Sequence, residues 1–230
     1  MFALIKRFKT CPSLYRTRVS CNFMEYTNAR SSLKTISTVD PLIVVYNSLI
    51  LQMKLPDAKS LYDRGNSQKR EGDLDGAIES FEQAINIHPD YAEAYCNLAN
   101  AQKQKGEIDT AIESYKQAIN CDPSLFVAFY NLGNAFQLKN DLENAALSFQ
   151  KALELKPDFS EAHINLGNIQ QMRGEETSAI KSFESALKIK PDSIQANFNL
   201  GNLLLQQGNN ASAMECFNNT LELKPDFVEA

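Results

Sequence analysis

From Ala58 to Phe227 the small, apolar and aromatic positions return every 34 residues, five times in succession, with nothing inserted between copies. Position 1 of each copy is Ala58, Ala92, Phe126, Ser160 or Ile194. Position 8 is then Gly65, Ala99, Gly133, Gly167 and Gly201, and position 20 is Ala77, Ala111, Ala145, Ala179 and Ala213. Position 24 holds a ring throughout: Phe81, Tyr115, Phe149, Phe183 and Phe217. Position 27 is Ala84, Ala118, Ala152, Ala186 and Thr220, and a proline closes each copy at position 32 (Pro89, Pro123, Pro157, Pro191, Pro225). A period of this length marks an array in which one unit cannot bury its apolar face alone and stacking on a neighbour does so.

Within each copy the spacing predicts two helices, helix A over positions 2–14 and helix B over positions 18–30. Gly72, Gly106, Asn140, Gly174 or Gly208 lies between them, where a residue that tolerates a left-handed conformation ends a helix. The proline stops helix B because it lacks an amide donor and clashes with the preceding turn. Asp75, Asp109, Glu143 and Glu176 sit at the start of helix B, at the positive end of its dipole. The small residues at positions 8, 20 and 27 allow close approach of helix backbones, and the ring at position 24 fills the space between them.

These columns resemble the tetratricopeptide repeat (TPR) family, whose pattern is Trp-x-x-Leu-Gly-x-x-Tyr, then Ala-x-x-x-Phe, then Pro. The match covers 170 of 230 residues, five times 34. It departs in the Trp column, which holds Leu61, Tyr95, Phe129, His163 and Asn197, and in the Leu column, where the first copy has Arg64. The resemblance implies an all-α, right-handed α-solenoid, a superhelix of stacked helix-turn-helix repeats over 58–91, 92–125, 126–159, 160–193 and 194–227. Val228 begins what reads as a sixth copy, so the chain resembles a piece of a longer array.

Positions 2, 6, 9 and 13 of helix A share one face. Positions 6 and 9 of that face are Asn66, Asn97, Asn100, Asn131, Asn134, Asn165, Asn168, Asn199 and Asn202, with Asp63 the tenth member. Asn is a mediocre helix former, so helix propensity does not account for it. A carboxamide carries both a donor and an acceptor, as a peptide group does. One reading is a ladder that grips an extended peptide by its backbone. The other is a set of bonds between neighbouring repeats that holds the stack together. The repeated Asn-Leu-Gly/Ala-Asn element (Asn97 to Asn100, Asn131 to Asn134, Asn165 to Asn168, Asn199 to Asn202) is similar to the asparagine ladder in the TPR region of protein O-GlcNAc transferases. That likeness implies substrate recognition on behalf of a separate catalytic domain. The TPR clamp for C-terminal carboxylates is matched by Asn66 and Asn97, but Tyr62, Val127 and Asn131 stand where it needs other residues. Without those cations a terminal carboxylate has no charge partner.

Charge divides the chain. Residues 1–57 carry 8 basic and 3 acidic residues, a net of +5, and residues 58–230 carry 15 and 25, a net of −10. An acidic array argues against nucleic acid as partner. The basic start lacks acids over its first 24 residues, as mitochondrial transit peptides do, and a basic leader of no fixed structure has the same composition. Leu42 to Leu51 is too short an apolar run to span a bilayer and suits a helix packed on the first repeat. Cys11, Cys21, Cys96, Cys121 and Cys216 form no zinc or CxxC spacing and point to a reducing, cytoplasmic or nucleocytoplasmic setting. His88 and His163 are isolated, and no catalytic, phosphate-binding or metal motif is visible.

The sequence therefore predicts a non-enzymatic protein-interaction scaffold without a cofactor, binding an extended peptide in an Asn-lined concave groove. The alternatives are the recognition part of a glycosyltransferase and an assembly factor that self-associates through its uncapped last repeat.

Overall fold

The computed structural model describes residues 56–227. Ten helices follow one another: α1 (Ala58–Glu71), α2 (Leu74–Ile87), α3 (Ala92–Gln104), α4 (Ile108–Cys121), α5 (Phe126–Leu138), α6 (Leu142–Leu155), α7 (Ser160–Met172), α8 (Glu176–Ile189), α9 (Ile194–Gln206) and α10 (Asn210–Leu223). No strand occurs among the described residues. Each odd helix packs on the even helix after it, and each even helix packs on the next odd one. The result is an all-α solenoid of helix pairs. The proposed transit leader, the helix at Leu42 to Leu51 and the sixth copy at Val228 lie outside the described residues.

The punctuation follows from backbone chemistry. Gly72, Gly106, Asn140, Gly174 and Gly208 all take positive φ, and Asn140 is the one non-glycine to do so among the described residues, at 58°. Helix B starts one residue earlier than the spacing suggests in every copy. Asp73, Asp141 and Asn209 cap it by accepting from the amides of Gly76, Asn144 and Ser212, while Glu107 and Glu175 stand at the same place without a side-chain cap. It ends two residues before the proline. The intervening residue is extended, as at His88 (φ −128°, ψ 89°) and Lys224 (φ −144°, ψ 89°), because proline disfavours helical geometry in the residue before it.

The core is a series of clusters along the stack, each joining helices of neighbouring pairs. Phe81, Tyr115, Phe149 and Phe183 are fully buried, whereas Phe217 in the last described pair is only partly so. Gly at position 8 is what admits the ring: a Cβ on Gly65, Gly133, Gly167 or Gly201 would stand 2.7 Å from a ring carbon of the phenylalanine at position 24. Two polar members of the Trp column bond back to the preceding turn. The Asn197 amide gives hydrogen bonds to the carbonyls of Pro191 (3.2 Å) and Ser193 (3.0 Å), and His163 Nε2 donates to that of Pro157 at 3.0 Å.

Candidate functional site: the asparagine wall

Successive odd helices touch one another (α1 with α3, α3 with α5, α7 with α9), and no comparable contact joins successive even helices among the described residues. The odd helices therefore stand closer together and line the inner side of the stack. All nine asparagines of the ladder are half-buried on this wall, and Asp63 is exposed.

The structure pairs the two columns across repeat boundaries. Nδ2 of the position-6 residue donates to Oδ1 of the position-9 residue one repeat earlier: Asn97 to Asn66 at 3.2 Å, Asn165 to Asn134 at 2.9 Å, and Asn199 to Asn168 at 2.8 Å. Asn97 and Asn165 also donate to the hydroxyls of Tyr62 (2.7 Å) and Tyr130 (3.2 Å). Each pair thus uses one donor and one acceptor for the stack. It leaves the position-9 NH2 and, in Asn165 and Asn199, the position-6 oxygen without a partner among the described residues. Asn97 differs, since its oxygen accepts from Lys69 Nζ at 3.1 Å and from Asn100 at 3.4 Å.

One rung is missing, and the sequence explains it. In the second copy position 8 is Ala99, so a ring placed like the phenylalanines would collide with its Cβ. Position 24 is correspondingly Tyr115, fully buried, whose hydroxyl donates to Asn100 Oδ1 at 2.7 Å. That takes the acceptor a neighbour would use, and Asn131 turns instead to the Cys96 sulfur at 3.9 Å. Burial pushes the pKa of both the Tyr115 hydroxyl and the Cys96 thiol up. Neither group is a nucleophile at neutral pH.

A second pattern lay in the sequence unread. Positions 5 and 34 are both aromatic in the first, third and fifth copies, giving tilted ring contacts at Tyr62–Tyr91 (5.0 Å between centroids) and Tyr130–Phe159 (4.8 Å) and an edge-to-face contact at Phe198–Phe227 (5.0 Å). The second and fourth copies have Cys96 with Leu125 and Ile164 with Ser193. The wall therefore repeats every two copies, a period of 68 residues that appears only when columns 5 and 34 are read together.

No group of three or more potential metal ligands occurs among the described residues, and no helix there is long and apolar enough to cross a membrane. What the wall offers is a row of half-used amides beside aromatic rings, the chemistry of hydrogen bonding and of apolar contact.

Comparison with known proteins places this geometry. Sequence profiles described as TPR repeat match residues 65–106, 103–140 and 172–208, and others described as tetratricopeptide repeat match 126–159, 148–181 and 194–227. No curated protein sequence matches the chain. Among solved structures, the MamA protein aligns with a TM-score of 0.66 at 27% identity, over 73% of this chain and 92% of that one. MamA from Desulfovibrio magneticus RS-1 aligns at 0.67 and 18%, over 74% and 97%. YrrB, described as a TPR protein with an unusual peptide-binding site, aligns at 0.65 and 21%, over 80% and 94%.

Proposed function

This chain belongs to the tetratricopeptide repeat family, and from that premise we propose that it is a non-catalytic scaffold holding an extended peptide against the odd-helix wall. The observation that carries the reading is the divided use of the asparagine pairs. Their inter-repeat bonds fix each carboxamide in place, so the unused NH2 of Asn134 and Asn168 and the unused oxygen of Asn165 and Asn199 are preorganised. A peptide backbone presents matching carbonyl and amide groups. Repeats of a packed helix array lie on the order of 10 Å apart, about three residues of an extended strand. Each hydrogen bond contributes about 0.5–1.5 kcal/mol net. Micromolar affinity, about −8 kcal/mol, needs several repeats acting together. The peptide-binding site ascribed to YrrB is in keeping with this reading.

The test separates binding from stacking. The double variant Asn134→Asp, Asn168→Asp keeps the oxygens that accept from Asn165 and Asn199 and removes both free NH2 groups. A phage-displayed library of random 15-residue peptides is selected on the full chain, and the selected peptide is titrated against both proteins. The scaffold reading expects an unchanged melting temperature and at least tenfold weaker binding by the variant. Equal binding would remove the ladder from the ligand site.

A further inference from the structure

The wall changes chemistry along its length at positions 12 and 13, the last turn of each odd helix. Position 13 shares the asparagine face, lying four and seven residues beyond the ladder positions. Position 12 runs Lys69, Lys103, Gln137, Gln171 and Leu205, and position 13 runs Arg70, Gln104, Leu138, Met172 and Gln206, so the basic residues fall in the first two copies and the apolar ones in the last three. Leu138, Met172 and Leu205 are 65%, 55% and 50% exposed. Ile87, Leu147 and Met214 on the even helices are similarly exposed, but Leu138, Met172 and Leu205 stand on the odd helices that carry the ladder.

The lysines are half-buried, and no ion pair joins either to a carboxylate among the described residues. Lys69 reaches across the repeat boundary to Asn97 Oδ1 at 3.1 Å. Lys69 of α1 and Lys103 of α3 both act on Cys96, as does Glu93 of α3, but Glu93 forms an ion pair with neither lysine. Burial lowers the pKa of each, the expected result for a cation that has lost water without gaining a counter-ion. Asp63 and Glu93 project from the same helices but remain exposed. Elsewhere exposed lysines do find acids: Lys105 meets Asp75 and Glu107, and Lys116 meets Glu113. In an array with a net charge of −10, cations held apart from acids mark a place for an external carboxylate.

Building on the scaffold reading, we propose that the groove selects an extended segment that is acidic over the first two repeats and aliphatic over the last three. The ladder grips the backbone without reading sequence. Lys69 and Lys103 receive acidic side chains of the segment, and Leu138, Met172 and Leu205 cover its aliphatic ones. With about three ligand residues per repeat, the recognised side chains fall at every third position.

Fluorescence polarisation on the full chain tests this with synthetic 15-residue peptides on a Gly/Ser background. One set carries two glutamates in one third and leucines at every third residue of the remainder, made in both chain directions. Its controls replace the glutamates by lysines, or the leucines by serines. The better direction is expected to bind at least tenfold more tightly than either control. Lys69→Gln with Lys103→Gln abolishes the preference for glutamate alone, and Leu138→Ser with Met172→Ser abolishes the preference for leucine alone. Equal binding of all peptides, lost in the Asn134→Asp, Asn168→Asp variant, overturns the selectivity and leaves the scaffold reading standing. No binding of any peptide overturns both.

Discussion

Asn165 gives its Nδ2 to the oxygen of Asn134 at 2.9 Å and to the hydroxyl of Tyr130 at 3.2 Å, so one side chain of α7 ties down two of α5. Its counterpart one repeat earlier, Asn131, finds only the Cys96 sulfur at 3.9 Å. The same residue in the same column therefore has two different structural weights.

Asn165→Ala removes two inter-repeat hydrogen bonds and is expected to lower stability by about 1–3 kcal/mol. Asn131→Ala removes one weak thiol contact and is expected to cost a few tenths, roughly the loss of a soft contact. Urea denaturation of the two variants measures the difference. Equal midpoints would show that the ladder bonds do not hold the stack.

Gly133→Ala places a methyl group 2.7 Å from Phe149 Cε1. Helix propensity alone favours alanine by about 1 kcal/mol, but overpacking of a filled core costs about 1–3 kcal/mol. The net expectation is destabilisation. Adding Phe149→Tyr reproduces the pairing of Ala99 with Tyr115 and is expected to recover part of the loss. A double-mutant cycle reads the coupling, and additive effects would contradict the account of the missing rung.

Phe149 is fully buried between α5 and α6. Phe149→Ala is expected to cost about 3–5 kcal/mol, and in an array stabilised by neighbour interfaces the damage is local. Hydrogen exchange should rise first in α5 and α6 and reach α1 and α2 last. Uniform acceleration along the array would contradict nearest-neighbour stacking.

Three aspartates make stability fall in acid. Hydrogen bonds from the Asn144 side chain and amide hold Asp141 below the usual carboxylate range; the Ser60 amide does the same for Asp57, and the Ser124 hydroxyl and amide for Asp122. A pKa lowered by folding stabilises the native state wherever the unfolded carboxylate is ionised, and that contribution disappears as pH falls through the native pKa. The melting temperature is expected to be level near neutrality and to drop below about pH 4. Asp141→Asn should drop less steeply, and an unchanged slope would remove Asp141 from the explanation.

Much of this architecture was legible in the columns. The residue at Asn140 and the prolines at position 32 dictate backbone geometry through local sterics, and the structure obeys them at every turn. The Gly column and the Phe column declare a close contact because each is the complement of the other. The ladder was legible as a row of asparagines with two open uses, peptide gripping and bonding between repeats, but not as specific pairs. Its cross-boundary pairing joins residues 31 apart in sequence and depends on the spacing between packed helices, which local propensity does not encode. Tyr115 was visible as a member of the aromatic column, but its hydroxyl acts on Asn100, fifteen residues earlier. The 68-residue alternation escaped because Cys96 and Ile164 each look like ordinary apolar variation until Leu125 and Ser193 are set beside them.

The central claim is that the unused halves of the asparagine pairs face the ligand. The most direct measurement is the side-chain amide NMR signals of Asn134 and Asn168 in the full chain, followed during titration with the library-selected peptide. Both NH2 signals are expected to shift at the stoichiometry of binding, while those of Asn144 and Asn218 on the even helices stay fixed. Saturated peptide binding with Asn134 and Asn168 unmoved would contradict the account.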